Sequence, residues 1–373
     1  MSDSQRHRTR LSGRFLEVDS VEQLERLASS GARSMSGWRL QDLDLRGSGA
    51  LLRRLDPAGA LFLGCDLTAQ DEESLRVRGG LLFPDIPGVP FDPYRSRLYS
   101  PAELYQGLEG GYDRTVDARV YAWSRRTASS RDVAFTLAQA LHDHAVDDAL
   151  QEYVAGRRIV GVMGGHDLRR DSAGYGEAVR LGRALAGQGY VVATGGGPGA
   201  MEAANLGAAL HGVGAGVLEG VLTRLARAPH FRPSADAWAR TAYAELGRVP
   251  ADAPSLGIPT WFYGHEPPNL FATRIAKYFR NALREDTLLN VCTAGIVFLP
   301  GSAGTVQEIF QDACENYYAE PTARTPMVLV GRRHWAEQLP AWPLLTAMGR
   351  ERGFASSVWL VDNWEEVSGI LAQ

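Results

Sequence analysis

The chain has 373 residues, 45% hydrophobic and 22% charged, with a formal net charge of −4 and a pI of about 6.1. This length and balance describe a globular protein with a large core, one large domain and a smaller one, and give no general electrostatic reason to bind a nucleic acid polymer. The three cysteines, Cys65, Cys292 and Cys314, lack the paired spacing of a disulfide framework or a structural zinc site.

A single residue, Lys277, is a lysine among the 39 lysines and arginines. Arginine matches phosphate and carboxylate with a bidentate fork, so the bias suits anion recognition; a GC-rich coding sequence produces the same bias. Schiff-base chemistry has one candidate residue.

Residues 1–14 are polar and arginine-bearing, with no apolar stretch after them. Neither a signal peptide nor a membrane span is expected, and the cytoplasm is the expected compartment. Residues 1–118 read as a small α+β module with a helical pattern at 21–28, an alternating segment at 38–45 and an apolar run at 60–64. Pro84, Pro87, Pro90 and Pro93 then punctuate a loop. This module shows no readable chemistry, no internal repeat and no low-complexity tract. Residues 119–155 form a connecting segment, with a helix expected over 130–154. His142-Asp143-His144 there superficially resembles a metal motif. Positions i and i+2 do not share a helix face, so solvated helix residues are expected and no metal site.

From residue 156 to 373 short apolar runs at 158–163, 190–194, 214–218, 296–299, 327–330 and 358–361 alternate with amphipathic stretches and glycine turns. Strands apolar on both faces, alternating with helices, predict an α/β fold: a doubly wound, Rossmann-like parallel sheet with helices on both faces. Ligands in such folds sit beyond the carboxyl ends of the strands.

Three turns fall at those ends. The first follows 158–163 at Gly164-Gly165-His166, where His166 either touches a ligand or caps the turn. The second is Thr194-Gly195-Gly196-Gly197-Pro198-Gly199-Ala200-Met201-Glu202. The third is Leu299-Pro300-Gly301-Ser302-Ala303-Gly304-Thr305-Val306-Gln307-Glu308, which joins a buried strand to a helix. Backbone N–H groups at a helix start, reinforced by the dipole, bind an anion without a cationic side chain. All three turns are read as anion-competent and as gripping one phosphorylated ligand. Glu308 is either an acid beside this cradle or the partner of Thr305 in a capping box. Gly195, Gly197 and Ala200 also satisfy a dinucleotide fingerprint, with Glu219 as its acid, so a nicotinamide oxidoreductase is a rival. Between the turns, a strand-like run at 258–263 leads through His265-Glu266-Pro267-Pro268-Asn269 into a long amphipathic helix expected over 270–289. Phe271, Ile275, Tyr278, Phe279 and Leu283 form its apolar stripe, and Lys277, Arg280 and Arg284 its basic one.

These residues resemble the LOG-type phosphoribohydrolases, sometimes labelled lysine decarboxylases, and especially the larger bacterial nucleotide 5′-monophosphate nucleosidases. The family's GGGxxGxM is similar to Gly195 through Met201, its PGGxGTxxE to Pro300 through Glu308, and an EPPN segment of the larger members to Glu266 through Asn269. The resemblance covers about 157–373. Ser302-Ala303 departs from the pattern, standing where shorter members have a second glycine and a variable residue.

The resemblance implies hydrolysis of the N-glycosidic bond of a nucleoside 5′-monophosphate. Glu308 would be the catalytic carboxylate. Arg284 fits the family arginine's interval better than Arg274 or Arg280. Gly301, Ser302, Ala303, Gly304 and Thr305 would hold the 5′-phosphate, with Gly165, Gly196, Gly197, Gly199, Met201, Glu266 and Asn269 completing the nucleotide site. It further implies no cofactor, no metal, no membrane or nucleic acid partner, and a homodimer or larger homo-oligomer. A non-hydrolytic nucleotide-binding regulator is the other reading. The decarboxylase label fits poorly: Lys277 falls on the predicted basic helix, away from any turn suited to a pyridoxal phosphate.

Overall fold

In the computed structural model, residues 16–18, 20–128, 132–250, 252–262 and 266–371 are described. Residues 1–14, Ser130, Tyr263 and His265, all used above, lie outside them. Contacts divide the chain into two compact units, one of residues 9–95 and 131–145, the other joining 96–130 to 146–373.

The first unit runs β1 (Leu16–Val18), α1 (Val21–Ser29), β2 (Trp38–Gln41), α2 (Gly49–Arg54), β3 (Leu61–Leu63), α3 (Ala69–Val77) and β4 (Leu81–Phe83). Its four strands lie parallel in chain order. Successive register partners stack Val18, Leu40, Phe62 and Leu82 into one column, and Leu24, Leu52 and Leu75 from the helices join that core. Each strand-and-helix turn takes about 20 residues, the length of a solenoid repeat. A strand-and-helix unit therefore recurs where no internal repeat was expected; its strands share only one stacked apolar position, too little to register as self-similarity in the sequence. Ser20 and Thr68 start α1 and α3 by accepting the N–H of Gln23 and Asp71.

Residues 96–130 contribute α4 (Pro101–Leu104) and α5 (Val116–Thr127), and α6 (Val133–Val154) follows. His142 and Asp143 on α6 are buried, not solvated as expected; only His144 is exposed. His142 Nδ1 lies 3.2 Å from Asp143 Oδ1, the ring meets Phe91 edge-on, and burial holds the imidazole below its ordinary pKa. Among the described residues no group of three or more His, Cys, Asp or Glu side chains could hold a metal.

The second unit continues with β5 (Ile159–Met163), α7 (Ala173–Gly187), β6 (Val191–Thr194), α8 (Ala200–Ala209), α9 (Ala215–Leu225), α10 (Ala235–Tyr243), β7 (Ser255–Gly257) and β8 (Arg274–Ile275). After these come α11 (Asn281–Val291), β9 (Ile296–Phe298), α12 (Ala303–Tyr318), β10 (Met327–Val330), α13 (Ala341–Arg352), β11 (Val358–Val361) and α14 (Glu365–Leu371). Seven parallel strands lie in the order β11-β10-β9-β5-β6-β7-β8. Every residue of β5, β6, β9 and β10 is buried, which is why these strands read as unbroken apolar runs. The chain winds outward from β5 to β8, then returns to the other side of β5 for β9 to β11. Crossovers of one hand place the two sets of helices on opposite faces, the doubly wound fold. The winding reverses between β5 and β9, so a crevice opens beyond their carboxyl ends.

Two expected elements differ. The run at 214–218 is the start of α9, whose buried Leu218, Val221 and Leu225 keep helical spacing while Ala215, Gly216 and Val217 are exposed; the strand there is β7, short and opened by Ser255. The helix expected over 270–289 exists only from Asn281. Residues 270–279 are buried on nearly every side, and β8 pairs with β7 on one side while Ile275 bridges Tyr99 on the other. A helix would have left one face to solvent, and this segment has none.

Candidate active site

The loops after β5, β6 and β9 pack on one another at the crevice. Gly165 N–H donates to Pro300 O at 3.1 Å, and Ala200 N–H donates to Gly165 O at 3.0 Å. Gly199 holds φ at +72°, and a Cβ there would stand 2.4 Å from Gly165 O, so only glycine serves. Gly301 is equally confined: a Cβ would meet Thr305 Oγ1 at 2.2 Å. The Gly165 bond ties the first turn to the third, the Ala200 bond ties the second to the first, and Gly196 N–H turns back to Thr194 Oγ1.

The third turn differs. Ser302 caps α12 without a side-chain hydrogen bond, and the N–H groups of Ser302, Ala303, Gly304 and Thr305 meet no acceptor among the described residues. Orphan donors at the positive end of a helix, here one of 16 residues, are groups to which an anion can bond. Since α12 starts at Ala303, Thr305 is not its cap and no capping box forms. Glu308 lies in the second turn rather than the first.

Glu308 is free to act elsewhere. Its carboxylate meets Arg284 from α11, with Oε1 3.6 Å from the guanidinium, and the two side chains are 17% and 11% exposed. Burial raises the Glu308 pKa to about 7; Arg284 opposes the rise and the neighbouring Glu285 adds to it. Glu285 is itself held by Asn281 and Gln307. Arg284 Nε is buried without a partner, and the guanidinium comes 3.7 Å from where a side chain on Gly195 would begin, next to Met201 Sδ. Arg274 instead lies in β8 and donates to Thr273 O, and Arg280 is exposed at the start of α11.

A cleft of about 280 Å³ occupies the crevice. Gly165, His166, Asp167 and Leu168 line one side; Pro300, Gly301, Ser302 and His334 line the other. His166 therefore faces the cleft, its nitrogens 3.3 Å from Asp167 Oδ1 and 3.6 Å from Glu266 Oε1. His230 lies 3.3 Å from the same Asp167 oxygen. Glu266 Oε2 in turn stands 3.6 Å from the Cβ position of Gly197. Glu266 and Arg284 thus both lie close to the Gly195–Gly197 backbone, Glu266 next to His166 at the cleft and Arg284 next to Glu308. Sequence reasoning did not single out Asp167, His230 or His334, which lack a motif.

Several expected binding residues are supports. Asn269 donates its backbone N–H to Gly196 O at 2.8 Å and its side-chain amide to Gly197 O and Asn205 Oδ1, while its Oδ1 accepts from Phe271 and Ala272 N–H. Buried and fully bonded, it holds the glycine loop and presents no free group to a ligand. Gly196 and Gly199 likewise shape the loop without lining the cleft. Lys277 is not on a basic helix face: it is buried against Asp117, with Nζ 2.6 Å from Oδ1, and Trp261 Nε1 and Tyr112 OH donate to the same carboxylate. Burial pushes its pKa down, Asp117 pulls it up, and no free amine faces the cleft. Glu202, just past Met201, is sealed in a bidentate pair with Arg170. Glu219, the acid a dinucleotide site requires, is exposed on α9 rather than at a strand end, so the nicotinamide reading loses its second element.

The fold and site describe a doubly wound α/β protein with unbonded amides at a helix start and a half-buried carboxylate on the same helix. Residues 157–229, spanning β5 through α9 and both of its glycine turns, match the model of the SLOG cluster4 family. No curated protein matches the chain. Among solved structures, the molybdenum cofactor binding protein from the phototrophic bacterium Rippkaea orientalis is 16% identical over 58% of this chain and 97% of its own, with a TM-score of 0.36. The Moco carrier protein from Chlamydomonas reinhardtii is 19% identical over 58% of this chain and 98% of its own, with a TM-score of 0.33. Likeness at this level adds nothing to the geometry. No helix among the described residues is long and apolar enough to cross a membrane.

Proposed function

We propose that the chain hydrolyses the N-glycosidic bond of a nucleoside 5′-monophosphate, releasing free base and ribose 5-phosphate. The observation that carries this reading is the pairing, on one helix, of four unbonded N–H groups at Ser302–Thr305 with the half-buried, Arg284-paired Glu308. Gly304 and Glu308 are one turn apart on the same face, about 6 Å along the axis. That matches the reach from a 5′-phosphate to the anomeric carbon. The amides fix the phosphate, and the sugar swings its anomeric carbon toward the carboxylate. As the base departs with the bonding electrons, ionised Glu308 stabilises the oxocarbenium-like sugar and takes a proton from the attacking water, whose oxygen forms the new bond to carbon; that proton then passes to the departed base, which leaves neutral and restores the carboxylate. Arg284 keeps Glu308 oriented.

Incubation with AMP, GMP, CMP and UMP, followed by chromatography of free base, tests the reading. Release from at least one is expected. Nucleotide binding without release from any would favour a regulatory module over an enzyme.

A further inference from the structure

Building on the reading that the α12 cradle takes a phosphate, we propose that His334 is a positioning residue for this phosphate, fixing the Gly301 peptide from the β10 side so that the turn holds the Ser302–Thr305 amides in place. His334 Nε2 lies 3.0 Å from Gly301 O and 3.4 Å from Gly301 N, and the ring lines the cleft beside Gly301 and Ser302. One nitrogen cannot donate to the carbonyl and accept from the N–H at once. Donation matches the shorter contact, so His334 pins the Gly301 carbonyl and with it the turn that carries the Ser302–Thr305 amides.

The ring is held from three directions. Its Nδ1, the acceptor in that tautomer, lies 3.1 Å from the Gln338 side-chain amide, which can turn its NH2 toward the ring. It meets Trp335 edge-on at 4.5 Å, and the buried indole donates to Val330 O and Phe298 O at the ends of β10 and β9. Its backbone begins a π-helical turn, His334–Gln338, closed by Leu339 N–H on His334 O; such turns are rare and concentrate at functional sites. The charged groups around it leave the cradle open to an anion. Across the cleft Asp167 is engaged by His166 and His230, and on its own loop Arg332 pairs with Asp362 and Arg333 with Glu337.

The test compares wild type with His334→Ala and His334→Gln by calorimetric titration with ribose 5-phosphate and inorganic phosphate, and by steady-state turnover of AMP. His334→Ala should weaken both anions about fivefold, the loss of one hydrogen bond that holds the turn presenting the amides, and raise KM with kcat little changed. His334→Gln, whose amide can still donate to Gly301 O, should recover most of the loss, which also separates the effect from misfolding. Unchanged anion affinity in His334→Ala, a fall in kcat at constant KM, or no binding of either anion to wild type would overturn the proposal. Because the readout is anion affinity, a protein that releases no base yet shows this loss would keep the His334 assignment and lose the hydrolase reading.

Discussion

Glu308 combines a raised pKa with a cationic neighbour. If its ionised form is the working form, turnover should rise with pH through about 7 and level above it, measured as kcat/KM across pH 5.5–9. Glu308→Gln should abolish turnover and keep nucleotide binding; surviving activity would return Glu308 to a structural role. Arg284→Met removes the charge that lowers this pKa, so the rising limb should move to higher pH. Stability follows the same linkage. An acid whose folded pKa lies above its unfolded value stabilises the fold at low pH, and that contribution is lost as pH rises from about 4.5 through about 7. Glu308→Gln should therefore gain stability relative to wild type on going from pH 5 to pH 8, by at most about 3 kcal/mol. Denaturant titration at the two pH values checks the sign.

At the level of elements, the glycine turns and the segment that braces them decide the site. Asn269→Ala would remove side-chain bonds to Gly197, Asn205, Phe271 and Ala272, leaving buried groups unpaired. A loss of about 2–4 kcal/mol is expected by chemical denaturation, with weakened nucleotide binding because the loop beside Arg284 loosens. Gly301→Ala should lose phosphate affinity, since its Cβ collides with Thr305 and must distort the cradle; unaltered binding would show that the turn can shift freely. The strands and glycine motifs were legible because doubly covered strands are apolar throughout and the motifs are local. The helix over 270–289 misled because a segment buried on every side contains an apolar stripe at any period one chooses to count.

For the molecule as a whole, residues 96–130 belong with the unit whose sheet begins at Ile159 rather than with the sequence just before them. Asp117 makes that attachment concrete, collecting Lys277, Trp261 and Tyr112. Asp117→Asn strands the buried Lys277 ammonium, and a loss of about 3–5 kcal/mol is expected, read as a lowered midpoint of thermal or denaturant unfolding. A double change to Asn at 117 and Met at 277 should recover much of it.

The amino-acid sequence alone was enough for the parallel α/β sheet and the order of its glycine turns, because each depends on a local apolar pattern or a short local motif, while Arg284 beside Glu308 was legible only through the family resemblance. Tertiary structure alone decided which donors stay free for a ligand. Gly165 and Ala200 give their N–H groups to neighbouring loops while Ser302–Thr305 keep theirs, and His334 reaches Gly301 across 33 residues, Asn269 reaches Gly197 across 72 and Lys277 reaches Asp117 across 160. A hydrogen bond satisfied from that far along the chain leaves no period in the sequence, since its partner is set by how the sheet winds rather than by the residues beside it.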